Sequence, residues 1–100
     1  MLFEPPPPRL PVARVERIAE RAVQPHVTEG PVTVDSIRFV LAGGRRAWIV
    51  RLSASEFIWY CPLPPPGEPA NNCVETPARV VVVHVRDATG QAYSVVPVAG

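Results

Sequence analysis

The sequence predicts an α+β domain: one N-terminal helix packed on a curved, mostly antiparallel sheet of about five strands, preceded by an extended Pro-rich arm. Three observations carry this reading. Helical periodicity occurs once, between residues 11 and 24; runs of β-branched and aromatic residues fill most of the chain after Val32; and 14 prolines punctuate a chain of 100 residues. Valine builds strands and proline separates them. The length suits a single domain with one modest core. We read residues 1–11 as the arm and 12–100 as the domain, with a Pro-rich loop at 62–78.

The arm, Met1 to Pro11, contains Pro5 to Pro8 and Pro11, which favour polyproline II without internal hydrogen bonds. Leu2, Phe3 and Leu10 are its candidate anchors, on the chain's own body or on a neighbour. From Pro11 to Gln24 the period is helical, with Val12, Val15, Ile18, Ala19, Ala22 and Val23 in one arc and Arg14, Arg17, Glu20 and Arg21 opposite. Pro11 suits the first helical position and Pro25 ends the helix. Residues 26 to 31 read as a connector hinged at Gly30.

The stretch Val32 to Leu52 reads as one β-hairpin closed by Gly43-Gly44, a pair that supplies the positive φ angles of a two-residue turn. That turn fixes a register running from Ala42 opposite Arg45 to Ile37 opposite Val50. Side-chain alternation then places Ile37, Phe39, Leu41, Trp48, Val50 and Leu52 on one face. Ser36, Arg38, Val40, Arg45, Ala47, Ile49 and Arg51 take the other, with Arg46 at the tip. The tetrad Ser53 to Glu56 reads as a short turn or bulge leading into a third strand, Phe57 to Cys61, in which Trp59 and Tyr60 are aromatic residues of the kind interfaces favour. After the loop, Arg79 to Arg86 and Gln91 to Val98 form a second hairpin around Asp87-Ala88-Thr89-Gly90, with Gly90 at the left-handed position. A strand that is valine on both faces is normally central.

A helix of about 12 residues is about 18 Å long and covers one face of perhaps three strands. Both faces of the later strands are apolar, so either the sheet curls into a half-barrel or a partner covers the remainder. Net charge is +1, and all ten basic residues are arginine. The N-terminus lacks the charged and apolar regions of a signal peptide, and no stretch is long enough to span a bilayer as a helix. The expectation is a soluble chain made in the cytoplasm, whose final location, for instance in a particle, is open.

Chemistry has little to stand on. Cys61 and Cys73 bracket the Pro-rich loop as a candidate disulfide, but without a signal peptide to mark an oxidising compartment two free thiols are slightly favoured. His26, His84 and the two cysteines have no zinc-type spacing, so no metal or cofactor is expected. No paired carboxylates or Gly-rich phosphate loop occur, and an enzyme is not expected. Val40-Leu41-Ala42-Gly43 resembles the hairpin motif of cystatins, which also place a helix before an antiparallel sheet and use that turn as a wedge in cysteine-protease clefts. The resemblance covers roughly residues 12 to 52, with Phe39 where that motif begins with glutamine. It implies a protease-inhibitor-like wedge as a minor alternative. The leading expectation is a non-catalytic structural or protein-interaction subunit that docks through its arm and loop onto itself or a larger assembly, for instance as a phage or other particle accessory protein. The second is a small nucleic-acid-binding module using Arg38, Arg45, Arg46 and Arg51.

Overall fold

A computed structural model describes residues 7–59, 66–67 and 76–98. In chain order it contains helix α1 (Val12–Val23), a 3-10 turn (Gln24–His26) and strands β1 (Val27–Glu29), β2 (Thr33–Ala42), β3 (Arg45–Trp59), β4 (Thr76–Arg86) and β5 (Ala92–Val98). Helix and antiparallel sheet are therefore as the sequence predicts. Leu2, Phe3, Tyr60, Cys61 and Cys73, with most of the arm and the Pro-rich loop, lie outside the described residues.

The apolar arc of α1 lies on the sheet with Val15, Ala19 and Val23 fully buried. Ala19 sits in the middle of that contact and, having only a methyl group, lets the helix axis approach the strands. Val12, at the first turn, is 49% exposed and falls off the end of the stripe. Pro11 lies one position earlier than expected: it is the extended N-cap, and its carbonyl accepts the N–H groups of Arg14 and Val15. The α-helix ends at Val23, ahead of Pro25 as expected, and Pro25 is the second residue of the 3-10 turn that follows, where its missing N–H has no partner to lose.

Strand β3 is the spine of the sheet. Residues 47–53 pair with β4 along one edge, while residues 45–53 pair with β2 along the other. Farther on, Phe57 pairs with Val27 of β1 on the same edge as β2, and with Ala78 of β4 opposite. β1 and β2 thus lie end to end as one interrupted edge strand, and β5 completes the sheet beyond β4. The predicted hairpin register is found pair by pair, from Ala42–Arg45 to Ile37–Val50. Gly43 and Gly44 have φ of 59° and 76°, the two positive angles of a type I′ turn.

The strand count matches the expectation, but the strands differ. Ser53 to Glu56 is a bulge inside β3, so Phe57-Ile58-Trp59 continues that strand and does not form a separate one. The additional strand is β1, inside the stretch read as a connector. A bulge shifts register without ending the ladder, and it bends the strand that carries it. β3 can therefore run for 15 residues beneath two successive partners.

One row of side chains, Trp48, Val50 and Leu52 on β3 opposite Val85, Val83 and Val81 on β4, lies under the helix. With Phe57 these residues are between 0% and 6% exposed. Each large apolar side chain so buried contributes about 1.5–3 kcal/mol. Phe39 meets the Trp48 ring at a tilted 5.0 Å, and Ile37, Val34 and Val95 close the flanks. Among the described residues no helix is long and apolar enough to cross a membrane.

Candidate interaction surface

Alternation puts the other half of each strand on the reverse face of the sheet, away from α1. Arg38, Ile49, His84 and Ser94 form one row across four strands; Ser36, Arg51, Val82 and Val96 form the next; Ser53, Val80 and Val98 follow. Within the described residues no helix or strand layer packs on this face. Val80, Val82, Ile49 and Val98 are half-buried by their neighbours alone, and Val96 is 49% exposed. Ala47, between Val40 and Arg86, is only 3% exposed, but within the described residues the face is not closed. Arg38, Arg45 and Arg51 share this face, as the register predicts, and all three are exposed. Asp35, bulged out of β2, accepts the Ser53 hydroxyl at 3.0 Å.

At the hairpin end the face acquires two residues the sequence reading passed over. Tyr93 is the extra residue of a β5 bulge between His84–Ser94 and Val85–Ala92, which turns its ring toward His84, 5.8 Å away, and under the Arg86 guanidinium, 4.9 Å away. Tyr93 is 43% exposed. The Nδ1 atom of His84 is shielded from solvent and has no hydrogen-bond partner among the described residues. β4 pairs only as far as Ala47, so the hairpin tip projects past the sheet and carries Leu41, 69% exposed. Arg46 turns to the helix side at the same tip, with its guanidinium 5.0 Å from the centre of the Phe39 ring.

The arm joins the domain through one buried carboxylate. Asp87, 2% exposed, continues the Val81, Val83, Val85 row into the turn and accepts the backbone N–H of Arg9 at 2.7 Å, that of Leu10 at 3.0 Å and the indole N–H of Trp48 at 3.0 Å. The guanidinium of Arg9 donates to the Ala88 carbonyl at 3.0 Å, and Leu10 packs on the core beside Gly90. Gly90 has φ of 71°, the left-handed angle expected of it. Burial alone pushes the Asp87 carboxyl up. The Arg9 and Leu10 amides, the Trp48 indole and the Arg46 charge together outweigh burial and hold it below its ordinary value.

Sequence reasoning read Asp87 as a turn residue. The available signal was its alternation with Val83 and Val85, which places a carboxylate in line with a core row. A buried tryptophan also needs an acceptor for its N–H. Of the predicted anchors, Leu10 is held in this way. Trp59 lies at the opposite end of the sheet, where its ring stacks on His26 at 4.1 Å and 5°, with the His26 Nδ1 3.2 Å from the Ile58 carbonyl. The structure therefore separates Trp59 from the arginines Arg38, Arg45, Arg46 and Arg51. Among the described residues no group of three or more His, Cys, Asp or Glu side chains could hold a metal ion. The chain matches no protein-family model, no curated protein and no solved structure, so its own surface chemistry is the guide to its function.

Proposed function

We propose that this chain is a non-catalytic protein-interaction module that docks a partner on the reverse face of its sheet, with the Pro-rich arm and the Pro-rich segment 62–75, which ends where β4 begins, as further docking segments. The observation that carries the reading is a strand set filled by α1 on one side and left with half-buried valines, an exposed Val96 and an exposed Tyr93 on the other. Apolar surface of this kind, edged by arginine, is the composition of interface cores and rims. The partner surface it suits is apolar with acidic edges, because Arg38, Arg45, Arg51 and Arg86 accompany the valines and outnumber Asp35. Deletions that test the arm should end at Pro8, because Arg9 and Leu10 belong to the Asp87 contacts.

Site-specific photo-cross-linking in the producing cell tests this reading. Probes placed at Val82 and Val96 should give discrete protein adducts, and a probe at Arg17, on the exposed side of α1, should give none. Adducts from Arg17 alone would overturn it. Adducts from a probe at Leu41 alone would move the contact to the projecting tip and favour the wedge reading of the hairpin.

A further inference from the structure

Helix α1 presents three arginines on the side away from the sheet. Arg14, Arg17 and Arg21 are all exposed, and with Ile18 they line one groove of about 250 Å3. We propose that this outer face of α1 binds the phosphate backbone of a double-stranded nucleic acid without reading its sequence.

Placement is the first argument. At about 100° per residue, Arg17 and Arg21 fall opposite Ala19, the middle of the buried contact, and Arg14 falls in line with Arg21. Spacings of three and four residues make Arg17 a neighbour of both others, and like charges so placed oppose helix formation. Arg14, in the first turn, also meets the positive end of the helix dipole. No side-chain cap and no acidic residue in that turn offset it. Glu16 and Glu20 lie together on one flank, and only Glu20 is spaced to reach an arginine, Arg17. Among the described residues none of the three arginines is in an ion pair. Nothing in the helix itself compensates this arrangement, whereas an external polyanion would.

The kind of polyanion is the second. The apolar stripe of α1 is committed to the sheet, with Val15, Ala19 and Val23 fully buried, so the helix has none to insert into an anionic lipid surface. It contains no aromatic residue. Its outer face therefore lacks both the anchor on which a protein contact centres and the platform on which the bases of a single strand stack. A duplex backbone asks only for charge. It bears one negative charge per about 1.7 Å of its axis. The row from Arg14 to Arg21 is about 10.5 Å long at 1.5 Å per residue, so it faces phosphates in any register. Arginine presents paired donors that match the oxygens of a phosphate two at a time. This inference is independent of the protein-docking reading, which concerns the other side of the sheet.

Fluorescence anisotropy of the full chain decides it, with a labelled DNA duplex of about 20 base pairs, the corresponding RNA duplex, an oligothymidylate and polyglutamate as probes. A duplex should bind with an affinity that falls as roughly the 2.7 power of salt concentration, about 0.9 for each of three phosphates. R14Q/R17Q/R21Q should lose about tenfold or more of that affinity at about 0.02 M salt, together with most of the slope, and R38Q/R51Q should change by less than about twofold. Glutamine keeps the helix propensity and removes the repulsion, so the circular dichroism of the triple variant should match the parent's. Should it fold poorly, Arg17→Gln alone should lower the slope by about 0.9. Absence of duplex binding, an unchanged slope in the helix variants, or equal loss in R38Q/R51Q would overturn the proposal. Tighter binding of the oligothymidylate would overturn it in favour of a stacking surface, and equal binding of polyglutamate in favour of an acidic protein. A preference for the DNA or the RNA duplex identifies the source of the backbone, and either supports the proposal.

Discussion

Asp87 connects what would otherwise be three loosely related parts: the arm, the indole of Trp48 and the second hairpin turn. Its substitution exposes how much of the fold depends on that connection. Asp87→Asn removes the charge and turns an amide NH2 toward a set of donors, leaving at least one buried N–H unmatched. We expect a loss of about 3 kcal/mol in urea unfolding. The pH dependence follows from the direction of the shift. The carboxyl is lowered in the folded chain, relative to about 3.9 in an unfolded one. Its stabilising effect is therefore complete above about pH 4 and is lost as pH falls through the lower folded value. The stability difference between the parent and Asp87→Asn should be constant from neutral pH to about pH 5 and shrink below pH 4. A difference that grows on acidification would exclude this role. The sequence displayed the row Val81, Val83, Val85, Asp87, but the residue facing it was not legible. β3 and β4 are separated by a long Pro-rich stretch whose sequence sets no register, unlike the Gly43-Gly44 pair that made the first hairpin readable.

At the scale of elements, the break between β1 and β2 depends on Gly30. Its φ is 83°, and a Cβ built there would lie 2.7 Å from the Ser55 hydroxyl and 3.2 Å from the Ser55 Cβ. The kink in the edge strand thus fits into the bulge of β3, and the two irregularities face each other. Gly30→Ala should cost about 1–3 kcal/mol, combining left-handed strain with the clash. Ser55→Gly in the same chain should recover the clash and leave the backbone strain, a non-additivity readable in a double-mutant cycle. A neutral Gly30→Ala would mean that the edge strand tolerates another path. Sequence reading identified Gly30 as a hinge and Ser53 to Glu56 as a turn or bulge, yet it could not show that they meet. An irregularity in one strand is local in sequence, whereas its match in another is a tertiary fact. The same limitation hid β1, whose three residues form a strand only because β3 continues past its bulge to meet them.

At the scale of the whole molecule, the sheet has two unlike faces, and the hairpin alternation already assigned Phe39, Trp48 and Val50 to one and Arg38, Ile49 and Arg51 to the other. Which face α1 would take was legible from apolar volume; what the other face is for was not, because its valines and arginines suit several partners. Self-association discriminates among them. Two copies meeting through their reverse faces would bring Arg38, Arg45, Arg51 and Arg86 of each against the same set in its partner, and one Asp35 per copy does not offset four arginines. At low ionic strength this repulsion acts over tens of ångströms, but at about 0.5 M salt the screening length falls to about 4 Å and the valines can meet. Light scattering of the purified chain should therefore show a monomer near 0.01 M salt and association that rises with salt. An oligomer formed at low salt and dissolved by high salt would mean that opposite charges bring the copies together, so that the reverse face would not be the contact.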